Sequence, residues 1–528
     1  DTTSRPALVP HTTIRGGVIE DTRWRRALIV ISAAALLRFV FAVIIPLLPD
    51  ETYYWDWSRH LQGGYFDHPP GIALLVRLGG VLLAPVGASA TPIAVRLGPV
   101  LAGWIAGLGT IAIARRLGGD GAALRAAIVI SVLPLAAAGL ILATPDAPVL
   151  AATAGGLYCV IRALECVPHS ASSLRWWAIT GLALGLAFIS KYTSIFLPAG
   201  VVLAIILRGD LRVRLREPGP YVACVIATLV FTPVLLWNEQ HEWISFVFQL
   251  RHGLGAPEGS ALLAAWKHEG DFFGGQAALA SPILFVMLAI ATAKSLTRKA
   301  PSVHFVLAMV GALSFGFFVY SAIRQRVEPN WPAPAYIPAV VLLSLIQWKS
   351  RGEKWLKAGI VVAAVLSAVI YVQGVVPILP LAPRKDPIAR AFGWDDLTRA
   401  ASATVARVNA ETHVQTWLGG DRYQEASEIA FHNAMHPTTF ATNMSGRTNQ
   451  YDLWPGFADR ARVGDNLVLV LDESDGPHEA IAALAPYFAE ARRDTLVALR
   501  RGVGEIGVRR IWVLRGWRGG WPAKPPEH

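Results

Sequence analysis

Residues 49–80 read PDETYYWDWSRHLQGGYFDHPPGIALLVRLGG, directly after an apolar run at 27–48. A helix of ~20 apolar residues crosses a ~30 Å hydrocarbon core, so 27–48 is expected to span a membrane. The quoted stretch opens on two acids, Asp50 and Glu51, where the chain leaves that span. Tyr53, Tyr54, Trp55 and Trp57 follow. Such rings concentrate at headgroup level, which predicts an amphipathic helix lying there. Gly63-Gly64 ends that helix, Tyr65-Phe66-Asp67-His68-Pro69-Pro70 forms a stiff turn, and an apolar segment to Leu83 is expected along the membrane surface.

Outward from this loop the composition belongs to a membrane protein. Of 528 residues 53% are hydrophobic and only 16% charged, with a mean hydropathy of +0.43; soluble domains carry about 25% charged residues. Apolar runs predict about eleven spans, at 27–48, 93–114, 122–142, 147–165, 176–190, 193–208, 219–237, 272–293, 303–323, 332–348 and 356–378. The net charge of +11 does not mark nucleic-acid binding, because Lys and Arg cluster in short loops: Arg115-Arg116, Arg162 with Arg175, Arg208 to Arg216, Lys294 to Lys299, and Lys349 to Lys357. These fall on one side of the expected membrane, a positive-inside pattern that puts residues 1–26 in the cytoplasm as a polar tail and loop 49–92 outside. The run 27–48 is longer than a signal-peptide core and is not read as a cleaved leader. Three cysteines, Cys159, Cys166 and Cys224, lie in or beside spans with no metal spacing.

From about Pro380 charges become frequent and the periodicity changes. Strands are predicted at 466–471 (NLVLVL) and 508–514 (VRRIWVL), and helices at 395–408 and 479–491. The expected organisation is a cytoplasmic tail (1–26), a membrane domain (27–379) and an α/β domain outside the cytoplasm (380–528).

The outer face gathers ionisable groups beside the bilayer: Asp50, Glu51, Asp67, Arg96, Asp146 in Thr144-Pro145-Asp146, Lys191 in an apolar run, and Arg324, Arg326 and Glu328 before Pro329-Asn330-Trp331-Pro332. Charges at membrane depth cost at least ~2.5 kcal/mol each and therefore mark cavities and function. Carboxylates beside cations suit a reaction on a lipid-borne phosphate, in which cations hold the phosphate and a carboxylate takes a proton from an attacking hydroxyl. Two similar halves with midplane charges, the mark of a transporter, are absent from the sequence.

The block Asp50-Glu51-Thr52-Tyr53-Tyr54-Trp55 with Gly64-Tyr65-Phe66-Asp67-His68-Pro69-Pro70 resembles the GT-C glycosyltransferases. The likeness is to the bacterial branch related to dolichyl-phosphate-mannose–protein mannosyltransferases and to the aminoarabinose and galacturonosyl transferases of lipid A. Thr144-Pro145-Asp146, Ser190-Lys191, Gly420-Asp421-Arg422-Tyr423 and residues 446–454 extend it over nearly the whole chain. The resemblance implies a multi-pass enzyme of the bacterial inner membrane. It would move one sugar, with inversion, from a polyprenyl-phosphate donor to an envelope glycolipid on the periplasmic face. Asp50 would be the base, with Glu51 and Asp146 as further catalytic carboxylates. Tyr54, His68, Arg96, Lys191, Arg324, Arg326, Asn330 and Tyr336 would meet the donor, and Asp67, Arg251, Arg422 and Asn449 the acceptor. The implied partners are the lipid-linked donor, the glycolipid acceptor and membrane lipids. No cofactor is required by this reading and no metal ligand set is named, though a divalent cation stays open. A protein acceptor and a lipid or sugar transporter remain as alternatives. Where the aminoarabinose branch carries Arg and Lys, this sequence has Tyr54 and His68, which argues against copying that sugar.

Overall fold

The computed structural model describes residues 17–255, 261–444, 446–474 and 480–524. Most of the expected N-terminal tail, residues 1–16, lies outside them. The membrane part comprises α1 (Gly17–Ile44), α2 (Pro49–Arg59), α3 (Gly71–Leu83), α4 (Pro92–Val132), α5 (Pro134–Gly139), α6 (Asp146–Glu165), α7 (Ala171–Phe188), α8 (Phe196–Leu207), α9 (Gly219–Gln240), α10 (Ile244–Leu254), α11 (Ala261–Ala280), α12 (Pro282–Ser295), α13 (Ser302–Arg324), α14 (Ala333–Leu345) and α15 (Ser350–Val375). Each of the eleven expected spans overlaps one of these helices. Among the described residues six helices are individually long and apolar enough to cross a membrane, or seven if one bent pair counts as a span.

Three of the expected spans differ in form from the expectation. The runs at 93–114 and 122–142 share α4, whose two arms meet at Gly119 with φ +73°, and the second run ends in the separate short α5. Only glycine adopts that backbone without strain. The run at 272–293 is not straight: the chain bends by 99° at Ser281 between α11 and α12. Pro282 starts α12, and the Ser281 hydroxyl accepts from the Leu284 amide at 3.3 Å to cap it. Buried alanines (Ala106, Ala123, Ala127 and Ala154) let α4 and α6 approach closely where bulkier side chains would hold helices apart.

Beyond α15 stand α16 (Trp394–Thr412), β1 (Thr416–Gly420), α17 (Tyr423–His432), β2 (Thr439–Ala441), β3 (Asn466–Asp472), β4 (Phe488–Arg501) and β5 (Gly504–Trp517). The sheet order is β2-β1-β3-β5-β4, with β1 parallel to both neighbours and β3-β5-β4 antiparallel. Strand β3 is central and both its faces are covered. Leu467, Leu469 and Leu471 pack with Phe440 and Phe457, while Val468 and Val470 pack with Trp394 and Leu397 of α16. The expected helix at 479–491 is a correction. Residue 479 lies outside the described residues, Ala480–Leu484 is a short helix, and from Phe488 the chain is strand β4.

The largest departure concerns α2. Its rings are not turned to lipid as expected; every residue from Glu51 to Ser58 is buried within the protein. Its aromatic face meets the C-terminal domain. Tyr53 packs on Tyr423 with ring centroids 4.4 Å apart, Trp55 sits edge-on to Phe431 at 5.1 Å, and the Thr52 and Ser427 hydroxyls lie 3.0 Å apart. Helix α17 thus occupies the place assigned to lipid headgroups, and α2 becomes a wall between the membrane part and the sheet.

Candidate active site

The adjacent acids Asp50 and Glu51 occupy the first turn of α2, behind Pro49, where the helix dipole favours negative charge. Successive residues on a helix point about 100° apart, and here the two acids enter unlike surroundings. The Glu51 carboxylate accepts from the Leu48 amide (3.0 Å), the Ala143 amide (2.8 Å), Arg96 Nε (2.7 Å) and Arg96 Nη2 (2.5 Å). Arg96 spends its remaining protons on the carbonyls of Ala42 (3.2 Å), Ile45 (2.6 Å) and Pro46 (2.9 Å). All five guanidinium protons are engaged, and neither side chain is more than 1% exposed. This corrects two assignments. Arg96 has no donor left for a phosphate, and Glu51 has no lone pair left for a proton. Together they lock the end of α1 to the start of α2 and fix where Asp50 stands.

Asp50 is placed differently. Its Oδ1 accepts from the Tyr423 hydroxyl at 2.9 Å, and Oδ2 takes no hydrogen bond among the described residues. It opens into a cavity of about 360 Å³ between α2, α17 and the sheet. Surrounding protein raises its pKa above the ordinary carboxylate range by desolvation; Tyr423 and then Arg390 oppose that shift. One turn along α2, Tyr54 is buried, and burial holds its phenol well above its usual pKa, reinforced by the charges of Asp50, Asp67 and Asp146. Tyr54 therefore remains a protonated phenol among three carboxylates.

On the other side of α2 the turn 65–70 is drawn inward by two close contacts. A Cβ at Gly63 would stand 2.5 Å from the Pro233 carbonyl of α9, so only glycine permits this approach. The Gly71 amide donates to the Ile189 carbonyl at 2.7 Å, which brings Asp67-His68 beside Lys191. Asp67 Oδ2 accepts from the Tyr53 hydroxyl (2.8 Å) and Oδ1 from Arg447 (2.7 Å). The Asp67 carboxylate outweighs burial at Arg447 and pushes its pKa up, so this guanidinium stays charged. Asp67 thus anchors Arg447, with each carboxylate oxygen accepting one hydrogen bond.

Lys191 sits in the extended break after α7 and donates to Asp146 Oδ1 at 2.6 Å, while Asn330 Nδ2 donates to Asp146 Oδ2 at 2.6 Å. Asp67, His68, Lys191 and Arg447 form the polar end of a second cavity, about 330 Å³, whose remaining wall includes Phe196, Phe246, Phe317 and Trp331. Charged side chains thus stand at one end of this cavity and aromatic rings along the rest. Tyr336 lies deeper, donating to Gln276 at 2.8 Å and lining an apolar pocket that Asp146 and Asn330 also reach.

The structure does not bring the other expected residues to these cavities. Arg324 donates to the Gly255 carbonyl at 3.1 Å, and Arg326 is 74% exposed beside Glu328. Arg251 is exposed on α10 and lines neither cavity. Asn449 is buried and caps a tight turn, accepting from the Tyr451 amide at 3.0 Å. Arg422 does line the Asp50 cavity. Tyr423 and Arg447 were present in the motifs of the sequence but carried no assignment there. Their roles depend on contacts across more than 370 residues.

Residues 67–237 match the family described as dolichyl-phosphate-mannose-protein mannosyltransferase. The chain is 24% identical over 366 residues, 69% of its length and 73% of the relative's, to the lipid A galacturonosyltransferase RgtD of Rhizobium johnstonii. Its fold is similar to apo ArnT from Cupriavidus metallidurans, with TM-score 0.60 at 16% identity over 93% of this chain and 98% of that one. ArnT bound to undecaprenyl phosphate gives 0.57 at 15% identity, over 95% and 98%. The apo oligosaccharyltransferase of Archaeoglobus fulgidus gives 0.53 at 12%, over 85% and 70%. With its helical spans and C-terminal sheet domain, the chain is a multi-pass membrane protein that shares the fold of these glycosyltransferases and is similar in sequence to them.

Proposed function

We propose that the protein transfers one sugar from a polyprenyl-phosphate donor to a lipid A-like envelope glycolipid at the periplasmic face of the inner membrane, with Asp50 as base. The observation that carries this reading is Asp50 lining the polar cavity, with one oxygen uncommitted among the described residues, within electrostatic reach of Asp67 and Arg447, which head the aromatic-lined cavity. The donor phosphate sits against Lys191, Arg447 and His68, with its lipid along the aromatic wall. The acceptor hydroxyl enters from the polar cavity. Its oxygen attacks the anomeric carbon, the bond to the phosphate oxygen breaks, and that electron pair leaves on polyprenyl phosphate. Asp50 takes the hydroxyl proton, and a single displacement inverts the anomeric centre. Lys191 and Arg447 stabilise the charge that develops on the phosphate. The relatives that act on lipid A and bind undecaprenyl phosphate support the substrate classes, and the basic loops support a cytoplasmic N-terminus. Among the described residues no group of three or more His, Cys, Asp or Glu is placed to hold a metal. The phosphate charge is assigned to side-chain cations, and turnover is expected to persist in EDTA.

Two outcomes test the parts. Lys191→Met should lower kcat/KM for the donor by about a hundredfold, the scale of losing one electrostatic donor at a transition state. Adding Asp146→Asn should restore thermal stability by removing the orphaned charge without restoring transfer. Recovery of transfer in the double variant would show that Lys191 only neutralises Asp146. Tyr423→Phe removes a hydrogen bond that lowers the Asp50 pKa. The acid limb of kcat/KM should then move to higher pH. An unmoved limb would separate Asp50 from the titrating group.

A further inference from the structure

The cavity above Asp50 contains more positive charge than its acids offset. Arg384, Arg390, Arg422 and Arg509 line it, facing Asp50, Glu425 and Asp472. Arg509 is committed, 3.2 Å from Glu425 and 2.8 Å from Asp472, and Arg384 donates to the Ser474 carbonyl at 3.2 Å. Arg390 and Arg422 make no side-chain hydrogen bond or ion pair among the described residues, and both are exposed to the cavity. Arg390 acts on the Asp50 carboxylate through space, and Arg422 on Glu425 and Asp472. The N-termini of α2 and α17 face the same space, since Leu48, Pro49 and Asp50 line it together with Tyr423 and Gln424. Their backbone dipoles add to the positive potential.

We infer that Arg390 and Arg422 form a clamp for a phosphate on the acceptor headgroup, so that the enzyme selects phosphorylated acceptors and presents their hydroxyl to Asp50. This rests on the reading of Asp50 as the base. A guanidinium pair is suited to the task because each planar fork can hold two phosphate oxygens. The donor phosphate does not compete for the position. It carries a lipid, and the apolar wall that suits a lipid belongs to the other cavity, built from α8, α10 and α13. The walls here come from α2, α17 and the outer sheet, where a water-facing headgroup arrives.

The test is titration of the full chain in detergent with a soluble glucosamine disaccharide, phosphorylated or dephosphorylated. The wild type should prefer the phosphorylated sugar, and Arg390→Gln with Arg422→Gln should lower that preference by about tenfold or more. Paired lysine substitutions should keep part of it. Arg399→Gln, an exposed charge change on α16, is the control that should not alter it. A thermal midpoint equal to wild type, with unchanged donor binding, shows that the glutamine variant is folded. Equal wild-type affinity for the two sugars, or an unchanged preference in the folded double variant, overturns the clamp. Transfer to both acceptors at equal rates also overturns it while leaving the transferase reading intact. Phosphate-dependent binding that the glutamine pair abolishes, without any sugar transfer, keeps the two arginines as a phosphate site but overturns their role of presenting a hydroxyl to Asp50.

Discussion

Asp50→Asn is expected to cut sugar transfer by about 10²–10⁴-fold, the contribution of a positioned general base, with little change in donor KM. The amide is nearly isosteric and still accepts from Tyr423, so α2 should keep its place while the proton acceptor is lost. Loss of kcat without loss of binding identifies a group that acts only in the transition state. The pH profile carries an independent signature. Because desolvation raises the Asp50 pKa, the base is protonated at a higher pH than an ordinary carboxylate, and wild-type kcat/KM should decline on the acid side above the usual carboxylate range near ~4. Asp50→Asn should abolish that limb in the residual activity. Undiminished turnover in the variant would remove Asp50 from the chemistry.

The second large effect concerns its neighbour and is one of stability. Arg96→Met should destabilise the protein by about 3–5 kcal/mol, since it strands a buried carboxylate that then has only two backbone donors. Glu51→Gln with Arg96→Met should be less damaging than Arg96→Met alone, because no uncompensated charge remains. Thermal unfolding of the purified protein measures both. A phosphate-binding Arg96 would behave in the opposite way, with a normal midpoint and a raised donor KM.

These two expectations show what was legible in the sequence. The pair Asp50-Glu51 was readable as a candidate site by its position after a span, and Lys191 and Asp146 as candidates by the cost of placing charge beside a bilayer. How the two acids divide their work was not readable. It depends on one step of helix rotation and on carbonyls of α1 that the sequence does not mark as partners of Arg96. The aromatic residues of α2 gave a sound signal of a large apolar surface with a wrong partner. Rings that suit lipid headgroups also suit another helix, and α17 lies more than 360 residues away. Similarly, Ala489-Glu490-Ala491-Arg492-Arg493 has good helix formers, but pairing with β5 overrides that weak preference. Arg390 carried no local signal. It becomes notable only when the fold places it over Asp50 with no side-chain partner among the described residues.

The most direct test of the account is to reconstitute the full chain in liposomes with a radiolabelled polyprenyl-phosphate sugar and a lipid A-type acceptor. The account predicts that label moves to the glycolipid, which gains the mass of one sugar in inverted anomeric configuration, as polyprenyl phosphate is released. Label that crosses the bilayer still attached to its original carrier, with no glycosylated product, would contradict it.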